Sequence, residues 1–243
     1  MSRSAHRVAL AGGYLLHHRP WRDPRRILEV FTREHGRLTL FARAVRGPGA
    51  RLAAVLQPFR PLLFSWAGRG EAPQLTHAEC ADPCGPLPPE CVMAAFYLNE
   101  LLLKLTTRHD PLPGLFDHYH ATLAALRERA PLQAALRVFE KRLLEELGYG
   151  LELASEADSG APLEAAGYYQ FRPSRGLVRA SAQQAGALAG GSLIELREES
   201  LRGTRALEDA RRVLQAALAA CLEGRPLATR AVARSMVRKA AES

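Results

Sequence analysis

The hydrophobic period of this chain changes once, and the change falls at a proline-rich junction. Up to about residue 80 the apolar residues come in short runs broken by glycine or proline. Beyond Ala81-Asp82-Pro83-Cys84-Gly85-Pro86-Leu87-Pro88-Pro89 they recur at helical spacing. Successive strand side chains point to opposite faces, whereas a helix repeats every 3.6 residues, so one segment does not satisfy both patterns. The 243 residues therefore read as an α+β chain, with a β-module over 1–80 and a helical module over 81–243 that contains an irregular insertion at 150–180.

Five runs in the first module have strand character. Arg7 to His17 alternates weakly around Gly12 and Gly13, which suit a bulge or sharp bend. Arg26 to Arg33 and Arg37 to Arg46 alternate more clearly on either side of His35-Gly36, as a hairpin would, and Gly47-Pro48-Gly49 ends the second run. Leu56 to Trp66 and Glu71 to Thr76 follow, joined by Gly68-Arg69-Gly70. Pro58 and Pro61 lack the N–H that a ladder needs and belong at a strand start or edge. Five short strands fit a small barrel such as the OB-fold, and an SH3-like barrel fits the count almost as well.

In the second module Cys91 to Thr106 is apolar nearly all round, as a buried central helix is. Leu115 to Arg129 and Leu132 to Leu147 follow, the latter stopped by Gly148. Residues 160–180, rich in glycine, proline and aromatics, read as an irregular hairpin or loop. Further helices are predicted over Ala182 to Ala189, Thr204 to Leu222 and Thr229 to Ala240.

Charge is distributed unevenly along this plan. Residues 1–79 hold thirteen arginines, no lysine and five acidic residues, so the whole net charge of +8 lies there, while the remaining residues balance twenty basic against twenty acidic side chains. A localised cationic module points to a polyanionic partner, because neutralised phosphates release condensed counterions. An acidic protein surface, met by a basic adaptor that never touches DNA, is the alternative. No apolar run approaches the eighteen or so residues of a membrane span, and the N-terminus lacks a secretory pattern, so a cytoplasmic location without membrane contact is expected. Four cysteines in a chain this long make no disulfide framework.

Motifs for catalysis are missing. Neither G-x-x-x-x-G-K-[ST] nor G-x-S-x-G occurs. His118 and His120 stand two apart on a helix and face different ways, unlike the i, i+4 pair of a helical zinc site. Cys80, Cys84 and Cys91 have no matching fourth ligand nearby. No enzymatic turnover, metal or cofactor is expected.

The third run shows how the cations are placed, and one strand alone does not decide what they do. Leu38, Leu40, Ala42 and Ala44 fall on one face, and Arg37, Thr39, Phe41, Arg43 and Val45 on the other. That outward face is either solvated surface or a phosphate-tracking surface with a ring among its cations. Loops add to it: Arg19, Arg22, Arg25 and Arg26 crowd the first connection, Arg46 and Arg51 flank Gly-Pro-Gly, Arg60 lies between two prolines, and Arg69 occupies a turn. Trp21 and Phe41 supply rings, and Trp66 is a ring or a core residue. The nucleic-acid-binding set read from these positions is Arg19, Arg22, Arg37, Phe41, Arg43, Arg46, Arg51, Arg60 and Arg69.

Five blocks, LHHRPWRDPRRILEVFTREHGRLTLFARAVRG, LQPFRPLLFSWAGRGE, FYLNELLLKL, RVFEKRLLEELGYG and GRPLATR, resemble in order and spacing the RecO family of bacterial DNA repair and recombination mediators, over about residues 6–235. The resemblance implies an N-terminal OB-fold, a helical C-terminal domain, binding of single- and double-stranded DNA and annealing of complementary strands. It also implies partnership with RecR and the loading of RecA onto gaps coated by single-strand-binding protein. Some members carry a four-cysteine zinc site after the block here written LEELGYGLEL. This chain has no cysteine between Cys91 and Cys221, so that site is expected to be absent. Arg137 matches a position implicated in taking the acidic tail of single-strand-binding protein; its plainer reading is a helix-surface arginine, paired i, i+3 with Glu140 or with the neighbours of Lys141 about i, i+4.

Overall fold

The computed structural model describes residues 7–21, 25–43, 50–82, 84–229 and 231–232, with the backbone alone for residues 50, 51 and 53. Five strands, β1 (Arg7–Trp21), β2 (Arg25–Thr32), β3 (Gly36–Ala42), β4 (Leu62–Ala67) and β5 (Gln74–Cys80), make a barrel in the order β1-β2-β3-β5-β4, with β4 hydrogen-bonded back to β1. A short helix, α1 (Ala50–Val55), precedes β4. The order is that of the OB-fold. All neighbours pair antiparallel except β3 and β5, which meet in parallel at the single position Phe41↔Gln74. Beyond that point toward its N-terminal end, the outer edge of β3 is left to loops.

The barrel interior is built by the period of two. Leu28 and Val30 of β2, Leu38, Leu40 and Ala42 of β3, and Leu62, Phe64 and Trp66 of β4 join Leu15 in one buried cluster. Trp66 is thus a core residue, 3% exposed. β1 slips register twice, between Val8 and Ala11 against β4 and between Leu15 and His17 against β2. The slips lie on either side of Gly12-Gly13, letting one long strand bend far enough to pair with both neighbours.

Two helices, α2 (Pro89–Leu105) and α3 (Pro113–Arg127), belong to the same compact unit as the barrel, which comprises the chain up to Arg127 and the segment from Leu227 onward. Their seam with the barrel is aromatic and polar together. Tyr14 meets Tyr119 edge-on at 5.0 Å and Phe116 at 5.7 Å, and Phe31 lies 5.6 Å from Phe116. Such pairs add about 0.5–1.5 kcal/mol beyond burial. Asn99 of α2 donates to the Leu16 carbonyl at 2.9 Å and accepts from the Tyr119 hydroxyl at 2.5 Å, so its buried amide is satisfied from both sides. Further along α2, Glu100 accepts from the backbone N–H groups of Ala228 and Thr229 and from the Thr229 hydroxyl, at 2.6–2.9 Å. Burial works to raise the Glu100 pKa, and those three donors with Lys104 outweigh it, leaving the carboxyl below its ordinary value.

The second unit, Glu128–Pro226, holds α4 (Leu132–Glu146), a three-stranded sheet ordered β7-β6-β8 from β6 (Tyr168–Arg172), β7 (Gly176–Ala180) and β8 (Leu188–Ala189), then α5 (Gly190–Arg197) and α6 (Thr204–Leu222). The irregular hairpin expected within 160–180 is the β6–β7 pair. The helix expected over Ala182 to Ala189 does not form: those residues are turns leading into β8, and the helix begins at Gly190. Most of the helix expected over 229–240 lies outside the described residues.

Candidate nucleic-acid interface

Because Leu28, Val30, Leu38 and Leu40 point inward, the alternate residues of β1–β3 make the outer face, and the register orders them in rows. Tyr14, Phe31 and Arg37 form one row, His17, Glu29 and Thr39 the next, then Arg19, Ile27 and Phe41, and last Trp21 and Arg25. The first row is covered: Phe116 and Tyr119 lie over Tyr14 and Phe31. In the last two rows Arg19, Trp21 and Arg25 are exposed and Phe41 is half-buried, while Ile27 between Arg19 and Phe41 is buried. The Arg19 guanidinium stands 5.8 Å above the Trp21 ring, and Trp21 keeps 41% of its surface exposed. Arg43, exposed just past the end of β3, extends the same side.

Arg37 departs from the expected free cation. Its Nη1 donates to Glu29 at 3.1 Å, its Nε to the Thr106 hydroxyl at 3.1 Å and its Nη2 to the Thr106 carbonyl at 2.7 Å. Burial lowers the pKa of this guanidinium, Glu29 opposes that, and nearby Arg108 adds to the lowering. The outward face of β3 is therefore not evenly cationic: Arg37 is a tie between β3 and the end of α2, and Thr39 is buried with its hydroxyl on Glu29 at 2.8 Å. Sequence reading missed Arg108, which reaches over from the α2–α3 loop to Glu29 at 2.6 Å while half its side chain stays exposed. The backbone secures that reach, since the His109 N–H donates to the Arg37 carbonyl at 2.8 Å. No local pattern marks a cation contributed across seventy residues.

The remaining positions do not all converge. Arg60 and Arg69 flank opposite ends of β4, Arg60 half-buried and Arg69 exposed in the β4–β5 loop. That loop borders the open face, because the Phe41 N–H donates to the Pro73 carbonyl at 2.9 Å and the Gln74 side chain donates to the Phe41 carbonyl at 2.8 Å. Arg22 and Arg46 lie outside the described residues, as does the side chain of Arg51. Arg33 is turned to Asp117 of α3 through two bonds of 2.8 and 2.9 Å, and the pair holds the Asp117 carboxyl below its ordinary pKa.

In the second unit Arg137 is paired with Glu140 at 2.8 Å, the i, i+3 contact expected, but it is 5% exposed and not on the surface. Its Nε and Nη1 have no hydrogen-bond partner among the described residues. Among the described residues no three histidine, cysteine or acidic side chains gather as metal ligands. No described helix is long and apolar enough to cross a membrane.

A five-stranded barrel in this strand order places the first unit in the OB-fold class. Residues 8–84 match the family profile described as Recombination protein O N terminal, and residues 89–231 match Recombination protein O C terminal. The chain belongs to the recombination protein O family. It is 42% identical to the DNA repair protein RecO of Methylococcus capsulatus over 229 residues, 94% of each chain. It is also 42% identical to that of Nitrosococcus oceani, over 92% of each, and 39% identical to that of Coxiella burnetii, over 92% of this chain and 97% of the relative.

Proposed function

We propose that the protein acts as a recombination mediator in the cytoplasm, associated with the nucleoid during repair. It binds and anneals single-stranded DNA, helps load RecA onto gaps coated by single-strand-binding protein, and works with RecR without chemical turnover. Residues 1–80 carry the DNA and residues 81–243 the protein partners. The reading rests on one observation above the rest: two successive rows of the β1–β3 face present Arg19, Phe41, Trp21 and Arg25, with Arg43 at their end. Arginines at this spacing suit a phosphodiester backbone, and exposed rings suit bases, each stack being worth about 1–3 kcal/mol. Arg137 enters as a carboxylate ligand through its two unpartnered nitrogens, and a peptide tail would have to reach them past the Glu140 pair.

The test is anisotropy of a labelled oligonucleotide across a salt series. The wild-type logarithm of affinity falls linearly with the logarithm of salt, and each phosphate contact on a single strand contributes about 0.7 to the slope. The double variant R19E/R43E should bind more weakly with a shallower slope. Unchanged slopes would remove those residues from the interface, and no oligonucleotide shift at all would leave the basic adaptor as the better account.

A further inference from the structure

The α2–α3 loop brings one cation to the barrel face from outside the strands. Its backbone lies along the outer edge of β3, where Arg37 and Arg108 form a parallel bridge. The loop is pinned on both sides of Arg108: Thr106 accepts from the Arg37 guanidinium through its hydroxyl and its carbonyl, and the His109 N–H donates to the Arg37 carbonyl. From there the Arg108 side chain crosses β3 and places Nη2 2.6 Å from Glu29 of β2. Glu29 stands in the row of His17 and Thr39, and the next row along the strands, about 7 Å away, is that of Arg19, Ile27 and Phe41.

Positive charge is left over at this point. Two guanidiniums share one carboxylate, so Arg37, Arg108 and Glu29 together are cationic. Arg37 does not display the excess: its three nitrogens are engaged and only 12% of its side chain is exposed. Arg108 does, with 49% of its side chain exposed and, among the described residues, no side-chain hydrogen bond besides the one from Nη2 to Glu29. The acidic residues Glu34 and Asp110 belong to the other end of β3, in the β2–β3 turn and where the loop backbone covers Gly36, past the row of Arg37. A half-exposed guanidinium with donors to spare, fixed by its own backbone, suits a phosphodiester oxygen. We propose that Arg108 is a phosphate contact of the bound DNA strand, offering Nε and Nη1 while Glu29 retains Nη2. The proposal rests on the DNA-binding reading of the barrel face, and it carries the strand's path off residues 1–80 and onto the loop between α2 and α3.

Anisotropy of labelled oligothymidylate with the whole chain tests it. R108Q should weaken binding about fivefold, the loss of one hydrogen bond to a charged group, and R108K, which keeps the charge, should recover most of that loss. E29Q should strengthen binding in the wild-type chain and bring little gain in the R108Q chain, where the cation it releases is absent. If the Arg108–Glu29 pair served only to hold the loop, R108Q and E29Q would weaken binding alike, and that result would overturn the proposal. Unchanged binding by R108Q, with R19E/R43E still weakened, would overturn it and leave the face intact. Tighter binding of polyglutamate than of oligothymidylate, lost in R108Q, would overturn the assignment to a strand. Absence of oligothymidylate binding by the wild-type chain would remove both readings together.

Discussion

At the scale of single residues, Glu29 stands among cations on the barrel face and is enclosed by Arg37, Thr39 and Arg108 at 2.6–3.1 Å. Part of the positive charge of this face is thereby neutralised within the protein. Glu29→Gln keeps the shape and removes the charge. Oligonucleotide affinity at low salt should rise severalfold and the salt slope steepen by about 0.7 as Arg108 becomes available, both read in the anisotropy series. Unaltered affinity would place Arg108 outside the DNA path. The alternation Arg37, Thr39, Phe41, Arg43 was legible, and so was which face they share. That Arg37 is consumed by Glu29 and Thr106 was not, because one partner sits on a neighbouring strand and the other at the end of a helix 69 positions away. The same holds for Arg137: its spacing to Glu140 announces the pair, while the packing of the second unit decides that the pair is buried.

At the scale of elements, the strands of the barrel followed from period two and from glycine and proline punctuation. Elements set by distant contacts did not. α1 spans six residues, too short for periodicity to register. Ala182 to Ala189 looked helical by composition, yet the helix starts one residue later at a glycine pair poor in helix propensity. Tertiary geometry explains the choice: Gly190 and Gly191 donate to the carbonyls of Gly167 and Ala165, and a Cβ at Gly190 would fall 1.9 Å from the Glu164 carbonyl oxygen. Gly36 plays a matching part in the first unit. It closes the β2–β3 turn at φ +65°, and a Cβ there would lie 2.1 Å from the Asp110 carbonyl oxygen, so the α2–α3 loop can approach β3 only over a glycine. Gly36→Ala should cost about 2 kcal/mol or more in urea denaturation and displace the loop that carries Arg108. Wild-type stability would show that the loop is not fixed at this point.

At the scale of the whole molecule, the excess charge of the sequence falls in the unit that holds the barrel, and part of it is paired within that unit. Arg33 and Arg37 are each turned to a carboxylate, and Asp117, which takes Arg33, comes from a helix of the same compact unit. The seam that joins barrel to helices also sets a limit on pH. Burial pushes the Tyr14 phenol up to about 12, and Tyr119 is raised well above the ordinary value by burial and by Tyr14. Below about 10 both folded and unfolded chains keep these protons and the stability is intact; as pH climbs from about 10 to about 12 the unfolded chain releases them first, so stability falls. Chemical denaturation across that interval should show a loss of about 1.4 kcal/mol per pH unit from Tyr14 alone, and Tyr14→Phe should flatten it. A variant curve parallel to the wild type would assign the alkaline loss elsewhere.

The donors on Glu100 carry a consequence for biosynthesis. A ribosome makes α2 long before it makes Ala228 and Thr229, so the first unit cannot be completed while the chain is still growing through the second. Until translation passes residue 229 the Glu100 carboxylate must remain hydrated or make do with Lys104, 3.7 Å away. A chain cut short after the second unit would thus lack three of the donors on Glu100, and it should unfold at lower denaturant than the whole chain.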